Sequence, residues 1–244
     1  MAAVLADVAF LAAPTYRSRA YAQAMKAAQV LPAAVLFLPG DEPVWNGPNE
    51  ITLDLAGDGQ VSVFRPAETV RETLGSLVAD RRTLADADVN RPDIVAAIAE
   101  APGDTVVYSG LGGALLGDAL LNCGKRFLHV HGGYAPHYRG STAFYYSLLR
   151  EGTMGATALW LGAGIDAGPI LARRRYPPPR GVDIDRVGDP MIRAHLLCEV
   201  LGQRRDSGAF AEAFRDETDA TTYHVIHPVL KHIALRRTAP NADQ

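Results

Sequence analysis

The sequence predicts an α/β fold, a mostly parallel sheet with helices on both faces, and three observations predict it. Short apolar runs recur along the chain without polar alternation, as strands buried on both faces require. Segments rich in helix formers alternate with those runs. A glycine-rich turn, Ser109-Gly-Leu-Gly-Gly113, follows one run and precedes a helical segment, which permits a tight turn and close backbone approach by a ligand.

The 244 residues suit one α/β domain with a tail. With 48% apolar and 21% charged residues, the chain has the balance of an ordinary soluble enzyme. A net charge of -3 offers no surplus for a nucleic-acid backbone, so no nucleic-acid partner is expected. No apolar run approaches the roughly 20 residues that span a bilayer, so no membrane partner is expected either. The apolar N-terminus lacks a basic region before it and reads as a first strand rather than a signal peptide. Cys123 and Cys198 fit no zinc or CxxC spacing and read as reduced thiols, which makes a cytoplasmic location the expectation.

In order, Val4 to Ala12 reads as a first buried strand, broken at Pro14. A helix rich in Ala follows from Arg19 to Ala28, with Ser18 as its N-cap. Arg17 and Arg19 therefore sit at a strand-to-helix handover, where α/β sheets bind anions; a solvated helix start is the even alternative. Ala33 to Leu38 is a second strand. Residues 41–61 read as a long loop holding one short strand, Glu50 to Leu55. Helices are expected over Val70 to Ala79 and Asp93 to Ala101, the latter with Pro92 at its start. Thr105 to Tyr108 is a strand, and a helix should run from the glycine turn to about Leu121. Further strands are expected at Ala156 to Leu161 and Ile170 to Tyr176, then a helix from Asp189 to about Arg205. On that helix Met191, His195 and Cys198 read as packing. The tail reads as a short strand and a basic helix. His227 and Lys231 share one face of that helix, without an assigned role.

The candidate chemistry lies between Arg126 and Leu171. On a strand, Phe127, His129 and His131 point one way while Leu128 and Val130 point the other. Two glycines follow, then a polar turn with Tyr134, His137 and Arg139, a helix from Ser141 to about Glu151, and a loop carrying Asp166 among glycines. Two imidazoles and a carboxylate aimed at a glycine-lined space suit acid/base chemistry. Two histidines are too few ligands for a zinc site, so no metal is expected.

At these residues the chain resembles the folate-dependent formyltransferases, the family of glycinamide ribonucleotide, methionyl-tRNA and sugar N-formyltransferases. That family's motif runs roughly Asn-x-His-Pro-Ser-Leu-Leu-Pro-x-x-Arg-Gly, with an Asp-x-Gly-x-Ile loop some 25 residues on. Here His131, Pro136, Arg139 and Gly140 match the first part, Gly155-Ala-Thr157 the family's Gly-x-Thr, and Asp166-Ala-Gly168-Pro-Ile170 the loop. Thr105 to Leu116 resembles the family's strand and folate-pocket loop. The resemblance is specific from about Thr105 to Leu171, looser before it and absent after about Arg180.

The resemblance implies a Rossmann-like formyltransferase domain over residues 1–180, with a helical C-terminal extension over 181–244 packed on it. It implies 10-formyltetrahydrofolate as co-substrate and a small-molecule amine as acceptor; a homodimer is left open. His131 would be the oxyanion donor and acid/base group, assisted by Asp166, with His129 in direct support. Gly110, Leu111, Gly112, Leu115, Gly162, Gly164 and Ile165 would line the folate pocket, with Arg17, Arg19, Tyr134 and Arg139 reaching the acceptor. Among the chain's departures from the motif, His129 stands for Asn, Gly133 for Ser, and Leu159 where a His is common. These departures keep open a formyl-donor hydrolase, a diverged acyl-type transferase, and a non-catalytic folate-binding homologue.

Overall fold

The apolar runs pair into one seven-stranded sheet in the computed structural model, which describes residues 3–236 and 238. The ends of the two expected domains (residues 1–2, 237 and 239–244) lie outside the described residues. The first half of the chain contributes β1 (Ala3–Ala12), α1 (Tyr16–Ala27), β2 (Val30–Phe37), β3 (Ile51–Asp54), β4 (Val61–Phe64), α2 (Val70–Leu74), β5 (Asp80–Thr83) and α3 (Pro92–Ala99). The second contributes β6 (Thr105–Ser109), α4 (Asp118–Leu121), β7 (Arg126–His131), β8 (Arg139–Gly140), α5 (Ala143–Glu151), β9 (Met154–Trp160) and β10 (Ile170–Tyr176). A π-helical turn (Ile184–Gly188), α6 (Asp189–Ser207), β11 (Thr222–Tyr223) and α7 (Pro228–Arg236) complete it.

The sheet order is β10-β9-β7-β6-β1-β2-β5. β7, β6, β1, β2 and β5 run parallel, and β9 and β10 add an antiparallel edge. Side chains of alternate parity feed two apolar layers. Leu128 and Val130 enter the larger one, with Tyr21 and Met25 of α1, Leu148 of α5 and Ile192, Leu197 and Leu201 of α6. Phe127 enters the other, with Ile94 and Ile98 of α3 and Leu120 of α4. The expected alternation along β7 and the expectation of helices on both faces therefore hold.

Several boundaries differ from those expected. Thr15, not Ser18, caps α1: its hydroxyl accepts from the Ser18 amide, and Ser18 is buried inside the helix. β4 and β5 are strands that composition hid, β5 because Asp80-Arg-Arg-Thr83 is a polar edge strand. The helix expected to run on to Ala79 stops at Leu74. The one expected from the glycine turn shrinks to Asp118–Leu121, because residues 110–117 follow an irregular path. Ligands of parallel sheets bind at the carboxyl ends of the strands, and here those ends carry Arg17, the glycine turn and both histidines.

Candidate active site at the divergence of two strands

β7 pairs with β6 only as far as Leu128, then continues beside β9 to His131. His129 sits where the two strands part. Its Nδ1 lies 3.2 Å from the carbonyl of Tyr108 on β6. A carbonyl can only accept, so Nδ1 carries the ring proton. Burial and then the charge of Arg17 hold His129 near a pKa of about 3, against the pull of Asp166, so the ring is neutral.

His131 is buried, at 4% exposure. Its Nδ1 stands 3.2 Å from Asp166 Oδ2 and its Nε2 2.8 Å from the carbonyl of Tyr138. Burial pushes the Asp166 carboxyl up, but His131, His129, the Gly140 amide and Arg193 outweigh it, and the net direction is downward. With the Asp166 carboxylate on one side and the Tyr138 carbonyl on the other, both ring nitrogens face acceptors. Asp166 takes a left-handed backbone (φ 47°), which asparagine and aspartate tolerate best, and its Oδ2 also accepts from the Gly140 amide at 3.0 Å.

The two glycines after His131 are packing requirements. A Cβ on Gly132 would stand 2.4 Å from Asp189 Oδ1 and from Arg193 Nη2. One on Gly133 would stand 2.3 Å from the Tyr138 carbonyl and 2.5 Å from His131 Nε2. Pro and Ser, which the resemblance would place here, do not fit this arrangement. The room is used by a buried ion pair from α6, Arg193 Nε to Asp189 Oδ1 at 2.8 Å. Arg193 also reaches the Val130 carbonyl. Sequence reasoning missed this pair, because acid and base four apart on a helix look the same as a solvated pair.

The polar turn after the glycines is tied down by the C-terminal strap. β11 pairs with β8, the Arg139 amide donates to Thr221, and the Ser141 amide donates to Tyr223. Arg139 makes a two-pronged pair with Glu217, at 2.9 and 3.1 Å. The Tyr223 ring stacks against Tyr138 and Tyr146, and its hydroxyl accepts from Arg150 at 2.8 Å. This strap therefore fixes the carbonyl and the amide that hold His131 and Asp166.

The other expected site residues divide cleanly. Arg17 is brought in: its Nε donates to Ser109 Oγ at 3.1 Å, and its Nη2 donates to the Gly110 carbonyl. Thr15, Tyr16, Arg17, Pro43, Gly112, Asp185 and Asp189 line a cleft of about 320 Å³. Leu111 and Leu115 of the glycine turn are 40% and 67% exposed, and Gly162, Gly164 and Ile165 are exposed on the Asp166 loop. Arg19 is not brought to the cleft: at 2% exposure it holds Glu42 and the Pro43 and Pro66 carbonyls. Tyr134 lies under Arg173 and Arg175 of β10, and Arg139 is committed to Glu217. Among the described residues no group of three His, Cys, Asp or Glu side chains is placed to hold a metal. None of their helices is long and apolar enough to cross a membrane.

Fold and site together define a Rossmann-like protein with a histidine–aspartate centre at its strand ends. The formyl transferase family model matches residues 62–186, just over half the chain, and the chain belongs to that family, the folate-dependent formyltransferases. Methionyl-tRNA formyltransferase of Roseiflexus castenholzii is 30% identical over 169 residues, 68% of this chain and 52% of that protein. The chain spans about half the length of such curated relatives, or less. Among solved structures, a sugar N-formyltransferase from Shewanella shares the fold at TM-score 0.57 and 15% identity, covering 95% of this chain and 87% of that one. HypX from Aquifex aeolicus, in complex with tetrahydrofolic acid, does so at 0.54 and 15%, covering 92% of this chain and 30% of that one.

Proposed function

We propose that this protein moves a formyl group from 10-formyltetrahydrofolate to the amine of a small molecule. The observation that carries the reading is the His131–Asp166 pair, a buried imidazole 3.2 Å from a carboxylate at the carboxyl ends of the strands. Attack on the formyl carbon generates an oxyanion, and a fixed donor next to it is worth on the order of 10²–10³ in rate. Asp166 assists proton movement. The folate would lie along the exposed glycine turn and the Asp166 loop, whose uncovered Leu111, Leu115 and Ile165 offer apolar contact. The acceptor would enter past Arg17. The net charge of -3 favours a small acceptor over tRNA.

The test has two stages. A stable folate analogue titrated into the protein should quench tryptophan fluorescence and raise the melting temperature; an unchanged melting curve at saturating analogue sinks the proposal. Consumption of 10-formyltetrahydrofolate is then followed with a panel of free and nucleotide-linked amino sugars. Consumption only with an amine supports transfer, whereas consumption without one assigns a hydrolase.

A further inference from the structure

The two histidines of β7 differ in one respect that decides where a proton can go. On His131 both ring nitrogens face acceptors, Asp166 Oδ2 and the Tyr138 carbonyl, so neither is open to an incoming amine. On His129 the Tyr108 carbonyl takes Nδ1–H and leaves Nε2 as a bare acceptor. His129 is also the less buried of the two. We infer that His129 Nε2, not His131, accepts the proton of the attacking amine. This rests on the formyl-transfer reading above and assigns the base within it.

The step balances with no further reactant. The amine nitrogen bonds to the formyl carbon, and the carbonyl electron pair moves to oxygen. The proton released from nitrogen goes to His129 Nε2. Collapse of the oxyanion breaks the bond from carbon to N10, and the same Nε2–H returns its proton to N10. The products are the formamide and tetrahydrofolate.

The charged groups around His129 fit a ring that holds this proton only briefly. Arg17 from α1 and Arg193 from α6 disfavour its charge, while Asp166 from the loop after β9 favours it. Tyr108 of β6 contributes its carbonyl and, at 6.2 Å between centroids, its ring edge. An imidazolium in that company gives its proton up readily. The oxyanion that forms in the same step supplies the negative charge that makes its brief existence tolerable. The Asn expected from the family motif at this position cannot accept a proton at neutral pH, so the histidine adds a basic site there.

Two measurements decide the inference. Long-range proton–nitrogen spectra of the free protein, assigned with His129→Asn, should show the Nδ1–H tautomer with bare Nε2 from pH 6 to 8. A charged ring or the Nε2–H tautomer overturns it, whatever the activity. Formyl transfer from 10-formyltetrahydrofolate to hydroxylamine is then compared in wild type and His129→Ala. The expected result is a loss of about 100-fold or more, with folate-analogue affinity unchanged and partial rescue by added imidazole. A rate within threefold of wild type, or a 100-fold loss that imidazole does not relieve, overturns it. Absence of transfer by the wild type to this or any panel amine would instead overturn the formyl-transfer reading, leaving the spectra to decide the state of His129.

Discussion

Two regions at the strand ends, one a rigid wall and one a loose wall, are built to different standards. The turn from Gly132 to Thr142 is fixed at nearly every residue: by backbone pairing with β11, by the Arg139–Glu217 pair, by the stacked tyrosines and by an Ile226 amide donating to Thr142. By contrast, residues 111–115 of the glycine turn are exposed, a Cβ added to Gly112 or Gly113 would meet nothing, and Asn90 secures the segment at Leu115 and Gly117. The difference follows the work proposed for each. Proton transfer needs donors and acceptors held within tenths of an ångström, whereas a loop that closes over a flat ring needs freedom before binding.

Breaking the fixed wall should cost most. Asp166→Asn removes the anion that faces the His131 ring, and should lower kcat by about 10²–10³ while folate-analogue affinity changes little. If kcat and folate affinity fall together, Asp166 is shaping the pocket instead. Gly133→Ser should follow closely, because its Cβ meets the Tyr138 carbonyl, which is backbone and cannot yield; melting temperature and rate should both fall, by about 1–3 kcal/mol in stability. Tyr223→Ala removes a stacking partner of Tyr138 at the back of the same wall. It should lower kcat roughly tenfold with folate affinity preserved, while Tyr223→Phe, which keeps the ring, restores most of the rate.

On the loose wall the pattern should invert. Leu115→Ser should weaken folate-analogue binding severalfold, yet shift stability by no more than about 0.5 kcal/mol, since the side chain is 67% exposed. A large drop in melting temperature would show that the turn is packed in solution.

The smallest effect is a pH slope. His129 takes up its proton near pH 3 in the folded chain and near about 6.5 unfolded. Between those values the unfolded chain binds the extra proton, so this residue makes stability fall as pH drops below about 6.5 and contributes nothing above it. His129→Asn should therefore lose less melting temperature than wild type between pH 7.5 and pH 5. An equal loss would mean that His129 titrates normally.

The sequence by itself determined six of the sheet's seven strands, its two apolar layers and the chemistry-bearing stretch. Strand burial, helix propensity and the alternation of Phe127, His129 and His131 are local properties, written in residues a few positions apart. It also placed His131 near Asp166, because the motif that joins them keeps its spacing. The partners that assign protons stayed hidden. The Tyr108 and Tyr138 carbonyls belong to the backbone and have no signature in composition. Asp189 and Arg193 come from α6, beyond the reach of the motif, and they make Gly132 intelligible only once the helix is docked. Arg19, Tyr134 and Arg139 show the converse, since residue type offered them as ligands and the fold committed their side chains to Glu42, to Arg173 and Arg175, and to Glu217. Residue type sets what a group can donate or accept, but only long-range packing sets which of its atoms remains free.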